Sequence, residues 1–177
     1  IRRLCNELID NLEGLDVVDA AVQYAQNIPV YVIARMLGLP LEDSDYFRDT
    51  VHLVLEEIGA EFGDRRAGFE KLDAYLAVHV RDHIENPKDD LIGFLLNAKI
   101  YDQPLSPTHV VGTIILLMVA GIDTTWSSIG SSIWHLAHHP ADLARMVAEP
   151  ELLPTAIEEL LRAYAPVTMA RIVSQDA

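Results

Sequence analysis

The sequence has few of the residues on which several protein classes depend. Only one of its 177 residues, Cys5, is a cysteine, so the chain cannot form an internal disulfide or a cysteine-based zinc site. Lysine and arginine are also scarce, 13 against 27 aspartates and glutamates, which gives a formal net charge of −14. A surface of that sign repels nucleic-acid phosphates and anionic lipids, so we expect neither a nucleic acid nor a membrane as a partner.

The two ends of the sequence carry no signals. No basic segment followed by an apolar one opens the chain, which begins at Ile1, and residues 173–177 contain no terminating signal. We therefore expect both ends to be cuts, with residues 1–177 forming part of a single larger domain.

Hydrophobic residues make up 50% of the chain and recur every three to four positions, which predicts a mainly α-helical fold. Pro29 is expected to start or kink a helix, and Asp43 or Ser44 to cap the next. The polar residues 63–66 are expected to break the chain between two helices, and the β-branched residues in 167–173 predict a short strand at the C-terminal end. The pattern also predicts the end of a helix at Asn86–Pro87, a short amphipathic helix over 89–98 and a turn over 101–104. Pro140 is expected to start another short helix, and Pro154 to open one from Thr155 to about Tyr164.

One segment is long and apolar. Ser106 and Pro107 supply an N-cap and a first helical residue, and no residue from Val110 to Ile122 is charged. Polar residues, Asp123 among them, interrupt the run before the roughly 20 apolar residues that a membrane span requires. The pattern therefore predicts a long, buried central helix.

The middle of this segment, Ala120-Gly121-Ile122-Asp123-Thr124-Thr125, contains residues that weaken a helix. Glycine costs about 1 kcal/mol relative to alanine, threonine hydroxyls can bond to a carbonyl one turn back, and a buried carboxylate is costly unless it is paired. Two interpretations are open. The segment is a site where a flat ligand approaches the small residues and an acid and an alcohol pass protons, or it is a kinked core helix with a paired aspartate.

Three further groups are ambiguous when taken alone. Glu159 and Arg162 lie at i, i+3 on one helical face, as in a surface ion pair. Arg171 is either a solvated edge residue or an anion clamp. His135 and His139, at i, i+4, could bind zinc, but no glutamate accompanies them and Pro140 ends the helix, which favours solvated or capping histidines.

Taken in order, these motifs resemble the cytochromes P450 of the soluble bacterial kind. Residues 120–125 resemble the oxygen-activation motif of that family's long central helix. Glu159 and Arg162 match its Glu-x-x-Arg helix motif, and Arg171 stands where the family places a haem-propionate arginine. Residues 33–40 and 86–91 are also similar to bacterial P450 segments, so the resemblance covers nearly the whole chain.

The resemblance implies a P450-like helical fold and a haem b cofactor. Thr124 would hydrogen-bond the bound dioxygen or its water network, and Asp123 would help relay protons. Ala120 and Gly121 would let the haem lie against the helix, beside Arg171. The remaining implied residues are a structural network of Glu159 and Arg162 and a substrate pocket lined by Leu116, Val119, Val167 and Thr168.

The resemblance also implies the reaction and its partners. A P450 inserts one atom of O2 into an apolar small molecule, using electrons from NAD(P)H delivered by a ferredoxin and its reductase or a similar donor, here in the cytoplasm. The family's axial cysteine thiolate favours O–O cleavage. Cys5 lacks the surrounding glycine- and phenylalanine-containing loop, so we expect the iron ligand beyond Ala177, no metal ligand within the chain, and no activity from residues 1–177 alone. The alternative is a complete helical binding or interaction domain in which residues 120–125 form only a kink.

Overall fold

The computed structural model describes residues 1–55 and 62–167, and the fold there is mainly α-helical, as predicted. The chain divides into two compact units, Ile1–Trp126 and Ser127–Ala177, and one long helix contributes to both. The helices are α1 (Arg2–Asp10), α2 (Asn27–Met36), α3 (Ser44–Leu55), α4 (Phe62–Glu85), α5 (Leu91–Asn97), α6 (Pro107–His138), α7 (Pro140–Ala148) and α8 (Leu153–Ala163). Short π and 3-10 turns cover Ala21–Ala25, Leu41–Asp43 and Pro150–Leu152.

The central helix, α6, begins after Ser106 as the sequence predicts, and it runs for 32 residues. Its buried residues recur every three to four positions and form one stripe, which packs into the core of the first unit against side chains from α2, α3, α4 and α5. By length and composition α6 could also cross a membrane, a test that the core helix of a soluble protein passes as well. The stripe comprises Val110, Val111, Ile114, Met118, Ile122 and Trp126.

Two local predictions are wrong. The polar residues 63–66 do not separate two helices, because they lie in the first turn of α4. Polarity does not itself oppose helix formation, and the exposed Arg66 donates from Nε to Glu70 Oε1 at 2.8 Å, one turn later. The turn predicted over 101–104 comprises only Tyr101 and Asp102 in the structure, because Gln103 and Pro104 belong to a strand.

The small sheet consists of β1 (Lys99–Ile100) and β2 (Gln103–Pro104), an antiparallel pair in which Lys99 lies opposite Pro104. The strand predicted over 167–173 falls, apart from Val167, outside the described residues.

The turn that joins β1 to β2 is conformationally costly. Tyr101 and Asp102 have φ angles of 50° and 62°, a left-handed conformation that suits asparagine and glycine in two-residue hairpins but not a bulky side chain. Tyr101 is 96% exposed, so its ring makes little packing contribution. We expect Tyr101→Asn to raise the free energy of unfolding by about 0.5–1 kcal/mol. Chemical denaturation of the two proteins measures this, and an unchanged or lower midpoint would show that the turn is not strained.

Candidate active site

The face of α6 opposite the buried stripe is exposed and apolar in its middle. Leu116 is 66% exposed, and Ala120 follows it one turn later on the same face. Val119 and Asp123 flank this line and are half-buried. The exposed face therefore presents hydrophobic and small side chains at the point where the sequence predicts a ligand.

Thr124 makes a defined contact on the same helix. Its hydroxyl donates to the Ala120 carbonyl oxygen at 2.8 Å. This is the bond to the preceding turn that the sequence predicts for a mid-helix threonine, and it fixes the side-chain rotamer. A hydroxyl oxygen has two lone pairs besides its proton, so this bond orients Oγ1 as a hydrogen-bond acceptor.

Gly121 lies on a different side of α6, towards α2. A Cβ atom at this position would stand 2.8 Å from Ile33 Cδ1, closer than carbon atoms approach. The absent side chain therefore leaves room for the end of the Ile33 side chain of α2 beside α6, one turn before Thr124 and Thr125. This packing gives Gly121 a role that the sequence did not suggest, and its predicted contact with a haem stays a prediction.

In the second unit, Glu159 and Arg162 form the ion pair that their spacing predicts. Arg162 donates from Nε to Glu159 Oε2 and from Nη2 to Oε1, both at 2.7 Å. The guanidinium lowers the pKa of Glu159, and the carboxylate raises the pKa of Arg162. Both side chains are exposed. The two parallel hydrogen bonds hold the guanidinium and the carboxylate in one plane at the surface of α8.

The histidines at the end of α6 are held by other groups. His135 Nδ1 lies 2.8 Å from Tyr164 Oη and its Nε2 lies 3.1 Å from Asp142 Oδ2. His139 stacks on the His135 ring and places Nδ1 2.9 Å from its carbonyl oxygen. Within residues 1–55 and 62–167, no group of three or more His, Cys, Asp or Glu side chains could hold a metal ion, so nothing there supports a zinc pair.

Cys5, the single cysteine, has a free thiol on α1 and is half-buried. Burial and a hydrogen bond with Cys5 raise the pKa of the neighbouring Tyr24 hydroxyl. Cys5 thus lies beside a phenol, on a helix far in sequence from residues 120–125.

The family model for cytochrome P450 matches residues 30–177. The chain belongs to the cytochrome P450 family. The polyketide biosynthesis cytochrome P450 PksS of Bacillus subtilis (strain 168) is 30% identical over 169 residues, which cover 96% of this chain and 42% of that protein. The vitamin D(3) 25-hydroxylase of Pseudonocardia autotrophica is 33% identical over 173 residues, covering 97% and 42%.

A solved structure agrees with this membership. The crystal structure of the LnmA cytochrome P450 hydroxylase from the leinamycin biosynthetic pathway of Streptomyces atroolivaceus S-140 matches with a TM-score of 0.84 and 31% identity, over 90% of this chain and 42% of that one. The P450 chain described here therefore spans less than half the length of these relatives.

P450 proteins carry haem, and the described residues on α6 fit such a group. A planar, largely apolar molecule requires an apolar surface with little side-chain relief, and Ala120, which is exposed on α6 and carries only a methyl group, offers one. Arg171, the predicted propionate ligand, and Thr168 lie outside the described residues, while Val167 is 52% exposed after α8.

Sequence reasoning missed one buried polar group, His83 on α4 with Asp90 at the start of α5. The two residues belong to no common motif. Only their short separation in sequence, with Pro87 between them, could have suggested a contact.

Proposed function

We propose that the protein containing this chain is a haem-thiolate monooxygenase that inserts one atom of O2 into an apolar small molecule and reduces the other to water. Residues 1–177 would then be part of a single P450 domain. The observation that carries the proposal is the acid–alcohol segment Asp123–Thr124, placed on α6 beside an exposed apolar face, with the Thr124 hydroxyl anchored on the Ala120 carbonyl.

Haem, when bound, supplies the iron at which dioxygen is reduced. In this chain, Ala120 and Gly121 would border the macrocycle and Arg171 would pair with a propionate. Thr124 Oγ1 would accept a hydrogen bond from a water and hold it in place, and the Asp123 carboxyl would exchange protons with that water. An anchored hydroxyl beside a carboxyl can order a short water chain, and such a chain delivers protons to a site from which bulk water is otherwise excluded.

The substrate is proposed to be apolar. Leu116 and Val119 on α6 present hydrocarbon surface towards the same side as Ala120, and Val167 and Thr168 are proposed to add to the pocket lining. One relative is named for polyketide biosynthesis, and another is named a vitamin D(3) 25-hydroxylase. An apolar small molecule is the substrate class that fits the hydrocarbon surface of Leu116 and Val119.

Glu159 and Arg162 are proposed to act structurally, because a fixed pair of charges at the surface of α8 can dock another segment of the polypeptide. Electrons would come from NAD(P)H through a ferredoxin and its reductase or a similar donor, in the cytoplasm. The axial cysteine is proposed to lie outside residues 1–177, and we propose that these residues alone have no activity.

The reduced, CO-bound absorption spectrum of the full-length protein tests the assignment. We expect the Soret shift that is typical of a thiolate-ligated haem, and we expect Cys5→Ser to leave it unchanged because Cys5 packs beside Tyr24. A full-length protein without that shift would contradict the proposed function. Loss of the shift in Cys5→Ser would instead show that the axial ligand has been placed wrongly.

A further inference from the structure

Tyr164 is the residue at which α8 ends, and its side chain packs against the C-terminal part of α6. Its backbone N–H donates to the Leu160 carbonyl oxygen at 2.9 Å, which closes the last turn of the helix. Its φ and ψ angles of −115° and 42° are not helical, so the chain leaves α8 at this point. Tyr164 therefore ends a rigid element and begins the segment that follows it.

The phenol ring of Tyr164 is held by two neighbouring side chains of α6. Its centroid lies 6.1 Å from that of Trp134 and 5.5 Å from that of His135, with interplanar angles of 75° and 63°. These are edge-to-face contacts, a geometry that aromatic rings favour. Tyr164 Oη also lies 2.8 Å from His135 Nδ1. Three contacts thus fix a side chain that has only two rotatable torsions.

The hydrogen bond between Tyr164 and His135 does not depend on which ring nitrogen of the histidine carries the hydrogen. A phenol hydroxyl both donates and accepts hydrogen bonds, whereas a single imidazole nitrogen does one or the other. The Tyr164 hydroxyl can therefore pair with Nδ1 in either tautomer of His135.

His135 is itself held in place by other groups. Nε2 lies 3.1 Å from Asp142 Oδ2 on α7, and the His139 ring stacks on the His135 ring with centroids 4.2 Å apart and an interplanar angle of 16°. The His135 side chain is only 20% exposed. Tyr164 is therefore bonded to a ring whose orientation is already fixed.

Only two residues separate Tyr164 from Val167, and both are conformationally restricted. The ring of Pro166 fixes its φ angle at about −65°. Ala165 precedes a proline, which disfavours the helical region for it. A connection of this kind has few free rotations that could absorb a displacement of Tyr164, so the displacement reaches Val167.

We propose that Tyr164, held by His135 and Trp134, is a positioning residue for Val167 and so determines how closely the substrate pocket fits a bound molecule. This inference rests on the proposed monooxygenase function, because that proposal places Val167 in the pocket lining. The hydrogen bond between Tyr164 and His135, which lie 29 positions apart in sequence, does not depend on that function.

Tyr164→Phe in the full-length protein removes the hydroxyl and keeps both ring contacts. We expect the equilibrium constant for unfolding to rise by about two- to tenfold, the usual effect of losing one hydrogen bond. Tyr75→Phe is the matched control, because the Tyr75 hydroxyl donates to Asp43 Oδ2 at 2.6 Å and joins α4 to the turn before α3. It should destabilise the protein at least as much without disturbing the segment after α8. Denaturant unfolding measures both effects.

Two haem ligands of different size report on the fit of the pocket. Imidazole ligates haem iron and extends little beyond it, whereas 4-phenylimidazole ligates through the same ring and carries a phenyl group that must contact pocket side chains. The ratio of their dissociation constants, measured by absorbance titration, separates the fit of the pocket from access to the iron. We expect Tyr164→Phe to weaken 4-phenylimidazole relative to imidazole by about threefold or more, the effect of losing roughly one buried methylene group of contact. Tyr75→Phe should leave the ratio unchanged.

Val167→Ala tests whether the effect passes through Val167. If Tyr164 acts by placing Val167, then Tyr164→Phe has no further effect on the ratio in a Val167→Ala protein. His135→Phe removes the other partner of the hydrogen bond and is expected to change the ratio as Tyr164→Phe does. This variant supplies the same measurement if Tyr164→Phe does not fold.

Three results would each overturn the positioning role and leave the haem assignment intact. They are an unchanged ratio in Tyr164→Phe, an equal change in Tyr75→Phe, and full additivity of Tyr164→Phe with Val167→Ala. A folded wild-type protein that binds no haem would overturn the proposed function, and the positioning role with it.

Discussion

In the full-length protein, Thr124→Ala is expected to lower the product formed per O2 consumed by about tenfold or more, because positioned proton-transfer groups typically contribute at least that much. The substitution removes Oγ1, which the bond to the Ala120 carbonyl orients. Without the hydroxyl, the proposed water beside Asp123 loses a partner, while O2 reduction continues and yields peroxide or water. Simultaneous measurement of O2 uptake, peroxide and product checks this expectation.

Thr113 supplies a matched control on the same helix. Its hydroxyl donates to the His109 carbonyl at 2.8 Å, the same bond one turn back that Thr124 makes. Thr113→Ala therefore removes an equivalent helix contact away from the motif, and we expect unchanged coupling. Thr124→Ser, which retains a hydroxyl, should recover most of the coupling. Equal losses in Thr113→Ala and Thr124→Ala would mean that helix geometry, and not proton delivery, is the cause.

The largest effect on stability is expected from Gly93→Ala, with a loss of about 2 kcal/mol or more in the free energy of unfolding. A Cβ atom at Gly93 would collide with the Lys88 carbonyl oxygen, which belongs to the backbone and cannot rotate away. Relieving the collision moves the start of α5, and with it the bond between the Gly93 N–H and Asp90. Urea denaturation monitored by circular dichroism measures the loss.

Gly112→Ala is the control for that experiment. Gly112 is also helical, but a Cβ atom there would meet nothing within 4 Å. Alanine should stabilise this position by about 0.5–1 kcal/mol, because it restricts the unfolded chain and favours the helix. If both substitutions change stability in the same direction, the collision at Gly93 does not determine the outcome.

The sequence was sufficient for the elements that depend on local signals. Ser106 and Pro107 mark the start of α6, Pro140 begins α7, and Asn86–Pro87 follows the end of α4 at Glu85. Caps and prolines act within one helical turn, so their effect can be read without knowledge of the fold. The prediction for residues 63–66 was wrong because a run of polar residues is not a local stop signal. Polarity indicates exposure to solvent, and an exposed segment can still be helical.

Only part of the candidate site could be predicted from the sequence. The 120–125 motif identified Thr124, and its bond to Ala120 follows from helix geometry alone. The Gly121 contact with Ile33 and the His83–Asp90 pair join segments that are distant in sequence or separated by a loop. Such contacts are decided by tertiary packing, which a single sequence does not encode in any local pattern.

The close approach of Ile33 to Gly121 has a consequence for how this family varies among species. A methyl group at position 121 is tolerable only if the side chain at position 33 retracts, so the two positions should change together. In relatives that carry alanine or a larger residue at the position equivalent to Gly121, we expect valine or alanine where this chain has Ile33. Because Cδ1 is the far end of a flexible side chain, the cost of a methyl group at position 121 is the cost of turning that side chain away, and a smaller residue at position 33 removes this cost.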